Sequence, residues 1–225
     1  MGFEDNDFDL LTSLIGSDAG LGAAMKGVAK LREEAAGSTL IKEGDVGGEV
    51  FMILSGSVSI VVYSSNGHEI RLATLGPGDW VGEMAALNGG GRTAFAVVAE
   101  AAKLAAFSAA AFINLMENDG HFATKMARLL SQRLADTSLR MFEFAAFSAA
   151  GRIYAEMIRM SKPEEDTEER FLVPAPSVTE LAARLSITRE TTSRVISRLE
   201  RMQLLVRDSR HWRVLAPETL SDMIN

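Results

Sequence analysis

The chain contains no cysteine. That removes disulfides, a zinc knuckle, a Cys-ligated iron–sulfur cluster and a thiolate nucleophile together. Histidine is almost as scarce, and His68, His121 and His211 stand far apart, which argues against a His-built metal cage or haem site. Long apolar runs are missing too: the most apolar stretch, 94–116, is broken by Glu100, Lys103, Ser108 and Asn114 and is too polar for a bilayer. The Met1 end carries acid and lacks a basic n-region, so a signal peptide is not expected. No nucleophile–base pair, metal cluster or Walker loop is visible, so catalysis is not expected. These absences point to a soluble, cytoplasmic, metal-free binding protein. Its 225 residues, 47% apolar and 24% charged, suit one large or two small globular domains.

Net charge is −7, against wholesale coating by nucleic acid. The distribution is uneven. Eight arginines (184, 189, 194, 198, 201, 207, 210, 213) and four acids (Glu180, Glu190, Glu200, Asp208) lie between Ser177 and Arg213, so that stretch is +4 and the remainder −11. A basic island on an acidic chain marks a confined polyanion site, against the plainer reading of a solvated face.

The pattern divides the chain. Up to about Leu31 it reads as a helical lead-in. From Ser38 to Phe107 short apolar runs (50–54, 58–63, 70–72, 95–98) alternate with turn signals at Glu43–Asp45, Ser55-Gly56, Asn66-Gly67, Gly76–Asp79 and Asn88–Gly91. Many short strands at this spacing indicate a sandwich or barrel, with Asn66-Gly67 a hairpin turn. Then the period becomes helical. Ala123, Ala127, Leu130, Leu134, Thr137, Met141 and Phe144 are separated by 4, 3, 4, 3, 4 and 3, the seam of a two-stranded coiled coil and hence of a parallel homodimer. Thr137 is odd there, inviting a register role or a ligand. The helix ends near Phe147, Ser148 caps a new one, and the acidic stretch from Lys162 to Glu169 reads as a surface loop.

Ser177-Val-Thr-Glu180 is a capping box opening a helix from Val178 to Leu185. After a break at Ser186–Thr188 a second helix buries Val195, Ile196 and Leu199. The apolar runs Leu204–Val206 and Trp212–Leu215 then bracket a hairpin wing. Arg189, Glu190 and Arg194 fall at about 0°, 100° and 140° around the second helix, sharing a face with Ser193. Arginine offers a fork to guanine and glutamate accepts from cytosine in the major groove, the alternative being a plain surface ion pair. The run Ile187-Thr-Arg-Glu-Thr-Thr-Ser-Arg-Val195 resembles the recognition helix of the CRP/FNR family of bacterial transcription regulators. The resemblance implies DNA contacts from Thr188, Arg189, Glu190, Ser193 and Arg194. It further implies a palindromic double-stranded site with GTG-type half-sites about one helical turn (~34 Å) apart and RNA polymerase as a partner. Ser186 stands where the family turn usually has glycine, and it is expected to cap the next helix.

The run Gly82-Glu-Met-Ala-Ala-Leu-Asn-Gly-Gly-Gly-Arg-Thr-Ala94 is similar to the phosphate-binding cassette of cyclic-nucleotide-binding domains. The ligand explains the residues. A buried cyclic phosphodiester needs one fixed cationic fork, offered by Arg92, and the ribose 2′-OH needs an acceptor, offered by Glu83. Gly82 allows close backbone approach, and the amides of Glu83, Met84, Ala85 and Thr93 can donate to phosphate. A bare Glu83–Arg92 ion pair bracing a loop is the plainer alternative. The resemblance places Thr137 and Ser138 at the base, Ser138 reaching from the partner, and Arg133 near the ribose. Cyclic AMP is favoured as allosteric ligand. Cyclic GMP is the second choice, because Thr93 is similar to the threonine that contacts guanine in cyclic-GMP-dependent kinases.

The fold expected is α+β: a jelly-roll-like β-roll over 1–118, a dimerisation helix and hinge over 119–147, and a winged helix-turn-helix over 148–225. Two alternatives stay open: a regulator of this family with another effector or none, and a ligand-gated module without DNA binding.

Overall fold

The computed structural model describes residues 10–14, 19–67, 69–164, 167, 169–208 and 211–224, and its contacts divide into two units, 1–132 and 133–225. In the first, residues 10–14 are helical and helix α1 spans Ala19–Val28. Strand β1 (Lys30–Glu34) follows at once. The lead-in therefore ends at Val28, and Leu31 belongs to the sheet. Strands β2 (Thr39–Ile41), β3 (Glu49–Tyr63), β4 (Glu69–Leu75), β5 (Trp80–Val81) and β6 (Phe95–Ser108) complete an antiparallel six-stranded sheet ordered β1-β6-β3-β4, with β2 on β6 and β5 on β3.

Ser55-Gly56 does not end a strand as the sequence suggests. It is a bulge inside the fifteen-residue β3, where register against β6 shifts between Ile53, Ser55, Ser57 and Val58. Gly56 has φ 78°, and a Cβ there would stand 2.2 Å from the carbonyl oxygen of Ala101. The bulge resets the alternation. Before it, odd residues Phe51 and Ile53 join one core cluster and even residues Val50, Met52 and Leu54 the other; after it, even residues Val58 and Ile60 take the place of the odd ones. The β3–β4 hairpin turns as expected, with Gly67 N–H donating to Ser64 O at 2.8 Å. Gly67 alone takes a positive φ, 77°.

The α2 helix (Glu83–Asn88) joins β5 to β6, and α3 (Ala109–Asn118) and the long α4 (Gly120–Ala146) follow β6. Ser108 caps α3 by accepting from Ala111 N–H. Trp80 gathers Phe107, Phe112 and Phe122 at 5.3–5.4 Å between ring centroids, so β5, β6, α3 and the start of α4 share one aromatic core. The stretch 94–116 is thereby strand plus helix, and no helix among the described residues is long and apolar enough to cross a membrane.

In the second unit Ser148 caps α5 (Ala149–Met160), accepting from Gly151 N–H at 3.0 Å. The predicted acidic loop contains β7 (Lys162–Pro163) and leads to β8 (Arg170–Leu172), which extend the wing into a four-stranded sheet β7-β8-β10-β9. Its other strands are β9 (Leu205–Arg207) and β10 (Trp212–Val214), with Trp212 opposite Arg207. Helices α6 (Val178–Arg184) and α7 (Arg189–Arg201) form the expected pair, and α8 (Pro217–Asp222) closes the unit. Ser177 Oγ accepts from Glu180 N–H at 3.0 Å, as the capping box requires. Leu181, Leu185, Ile196, Leu199, Trp212 and Val214 meet in one core with Ile153 and Met157. Ser186 does not cap α7. It takes the left-handed conformation (φ 52°) that a glycine would hold without strain, and Thr188 is the cap.

Candidate functional site: an anion cassette and a basic helix face

Gly82, in the left-handed region at φ 87°, turns the chain from β5 into α2 and brings Glu83 into the first turn of that helix. Glu83 is 2% exposed and Arg92 8%, both far below the norm for charged side chains. Arg92 donates from Nη1 to Gly82 O at 2.7 Å and from Nη2 to Glu49 O at 2.6 Å. Burial pushes the guanidinium below its ordinary range, while the charges of Glu83 and Asp45 pull it back up. The Glu43–Asp45 turn leads into a loop stitched to the cassette: Arg92 N–H donates to Asp45 O and Gly44 N–H to Arg92 O, both at 2.9 Å, and Val46 bridges Gly91.

The guanidinium therefore lies between two glycines. A Cβ at Gly82 would stand 2.5 Å from Nη1, and one at Gly48 would stand 2.7 Å from Nη2. Cavities of about 320 Å³ and 190 Å³ open beside it, both lined by Val46, Gly47, Gly48 and Arg92. Sequence reasoning found Gly82, Glu83 and Arg92 but missed Gly48 and the Glu49 carbonyl. The Gly47-Gly48 doublet was the only signal, and a backbone acceptor leaves none. Met84 and Thr93 are exposed and Ala85 is half-buried, all within the same cassette. The residues expected at the base and ribose, Arg133, Thr137 and Ser138, fall in the second unit. Thr137 donates to Arg133 O at 2.8 Å, so its hydroxyl bonds back along its own helix.

The predicted seam is uneven along α4. Ala123 and Leu130 are half-buried and Ala127 is exposed, whereas Leu134 and Met141 are 69% and 68% exposed and Phe144 is about half exposed. Large apolar side chains standing in water over three turns are an unmet packing surface.

On α7, Thr192, Ile196 and Leu199 are buried and Val195 half-buried, leaving Arg189, Glu190, Ser193 and Arg194 exposed together on the other side. Ser197 and Arg201, which the sequence reading did not single out, line the same open hollow. Thr188 sits at the edge, its hydroxyl occupied as a cap by Thr191. Arg194 donates to Glu190 at 3.0 Å, the surface pair held open as the plain alternative; both ends are exposed, so the pair is weak and its partners are free to exchange. The basic island is narrower than the residue count implies. Arg207 grips Glu200 with two bonds at 2.7 and 2.9 Å, Arg184 is bound to Glu156 and Arg213 to Glu169. Arg210 lies outside the described residues. The exposed positive charge concentrates on α7, at Arg189, Arg194, Arg198 and Arg201.

Fold and sites together define a cyclic nucleotide-binding domain carried with a helix-turn-helix domain. Residues 31–119 match the family described as cyclic nucleotide-binding domain, and 151–223 match the Crp-like helix-turn-helix domain. The chain is 30% identical over 165 residues to the cyclic AMP receptor protein of Thermus thermophilus, covering 72% of this chain and 73% of that one. It also resembles the solved structure of the c-di-GMP-responsive global regulator CLP of Xanthomonas campestris, at 25% identity and TM-score 0.72 over 88% of this chain and 99% of CLP. In fold alone it matches CooA of Carboxydothermus hydrogenoformans, with 18% identity, TM-score 0.80 and coverage of 96% and 95%. The chain belongs to the CRP/FNR family of DNA-binding transcription regulators.

Proposed function

We propose that this chain is a homodimeric, cytoplasmic regulator whose fit to a palindromic DNA site with GTG-type half-sites is set by a cyclic nucleotide, cyclic AMP first and cyclic GMP second. The observation that carries the reading is the buried Glu83–Arg92 couple, with Gly82 and Gly48 flanking the guanidinium where a Cβ would clash with it. A cyclic phosphodiester supplies the anion that balances Arg92, competing with or adding to its two carbonyl acceptors, and the 2′-OH donates to Glu83. The amides in the first turn of α2 are donors that a phosphate oxygen can engage. Ligand bound there engages Arg133, Thr137 and Ser138 of the 119–147 segment, which pairs through Ala123, Ala127, Leu130, Leu134, Thr137, Met141 and Phe144. The hinge from Phe144 to Ser148 then re-aims each 148–225 domain. Arg189, Glu190, Ser193 and Arg194 read base edges, Thr188 borders the phosphates, and RNA polymerase is the partner expected of such a regulator. The acidic Glu164–Glu169 loop, partly outside the described residues, is the candidate contact by its location in the family.

A cyclic dinucleotide is the second reading, favoured by the likeness to the c-di-GMP-responsive CLP. Calorimetric titration with cyclic AMP, cyclic GMP and c-di-GMP, with and without a palindromic duplex, separates them. Cyclic AMP is expected to bind tightest and to bind tighter still with the duplex present, by the same factor that it tightens the duplex. Absence of heat with both mononucleotides overturns the proposal.

A further inference from the structure

Within the second unit the last turn of α4 is tied to the helix pair by charge. Glu143 and Glu156 are both buried, Glu156 to 1% exposure. Arg159, near the end of α5, donates from Nη2 to Glu143 and from Nη1 to Glu156. Arg184, the last residue of α6, donates to the other oxygen of Glu156 at 3.2 Å. The series Glu143, Arg159, Glu156, Arg184 alternates in sign across three helices. A second strut runs beside it: Arg152 lies 4.4 Å over the ring of Phe144 and donates to Leu185 O at 3.4 Å.

We propose that Glu156 is a positioning residue for α7, and that Glu143 is the input of a relay through which the long helix sets the pitch of the DNA-facing helix. The inference rests on the regulator reading above. Only Phe147 and Ser148 separate α4 from α5, so the backbone alone permits a swivel, and the Glu143–Arg159 pair spans the bend. At the other end, Arg184 and Leu185 directly precede Ser186 and the α7 cap Thr188, and Leu181, Leu185, Ile196 and Leu199 pack α6 and α7 as one body. A carboxylate this deeply buried has no water with which to replace a lost arginine. A shift of Glu143 is therefore followed by Arg159 and passed to Glu156 and Arg184. Charge-assisted bonds are directional, so the relay transmits an angle where an apolar contact would slip.

The test uses the full chain, cyclic AMP, a palindromic duplex with GTG half-sites and a scrambled duplex. Glu143→Ala is expected to leave cyclic AMP affinity in the absence of DNA, and affinity for the scrambled duplex, unchanged. The gain in palindrome affinity on adding nucleotide is expected to fall by about tenfold. Glu143→Gln, which keeps an acceptor for Arg159, retains most of the gain. An undiminished gain in Glu143→Ala overturns the relay. If the parent protein shows no gain at all, the regulator reading has failed, and urea-unfolding midpoints of Glu143→Ala, Arg184→Ala and the double variant decide the relay separately. Non-additive shifts support coupling through Arg159 and Glu156, and additive ones overturn it.

Discussion

Gly82→Ala tests whether the cassette is built around the guanidinium. An alanine at φ 87° costs about 1–2 kcal/mol in backbone strain. The new methyl would stand 2.5 Å from Arg92 Nη1 and 3.0 Å from both Glu49 O and Ile41 Cδ1. Arg92 is the movable partner, and by moving about 1 Å it gives up its 2.7 Å bond to Gly82 O. Loss of one charged hydrogen bond adds about 1.5–3 kcal/mol, for a total of about 2.5–5 kcal/mol. Gly89→Ala is the matched control: its φ is 66°, but nothing lies within 4 Å, so it should cost only the strain. Urea unfolding of both variants in a Trp212→Phe background, so that fluorescence reports Trp80, measures the difference, and nucleotide titration should show binding abolished only in Gly82→Ala. Equal losses of stability in the two variants would refute the claim that the glycine exists to seat Arg92.

Two further outcomes follow from single residues. Ser186→Gly relieves a left-handed serine and should stabilise the second unit by about 1 kcal/mol, read as a raised unfolding midpoint; a loss would mean the hydroxyl has a role beyond the turn. Burial holds the Lys125 ammonium below its usual 10.5, where it donates to Leu14 O. The unfolded chain then binds a proton that the folded one has already released, so stability rises with pH in the window beneath 10.5. The midpoint difference between the parent and Lys125→Met should move in the parent's favour as pH rises toward 10.5, and a flat difference contradicts the sign.

Much of this was legible because the sequence states it in local chemistry. Ser148 and Ser177 announce helix starts through side-chain oxygens that accept amides three residues on, and both do so, whereas at α7 the cap falls on Thr188 and not on the expected Ser186. Strand β1 was invisible because Lys30-Leu-Arg-Glu-Glu34 buries only Leu31 and so carries no alternation. Strands β7 and β8 are too short to show a period, and β8 is held by pairing with β10. At the cassette, the residues that meet a ligand's charge are readable, since few side chains do that work. The residues that shape the space around Arg92 are glycines and carbonyls, whose role exists only once the fold has closed. On the basic island the sum of charges overstated the surface, because a count does not distinguish Arg207, locked on Glu200, from Arg201, exposed at the end of α7.

The phase slip in β3 has a consequence for how this domain tolerates change in length. Removing Gly56 would not shorten the strand by a residue; it would turn over the residues just past the bulge, taking Val58 and Ile60 away from the cluster they share with Phe51 and Ile53. The strand behaves there like a ratchet with one permitted tooth. The hairpin tip at Ser64–Gly67, a few residues further on, carries no such parity and is the place where insertions can accumulate without the interior registering them.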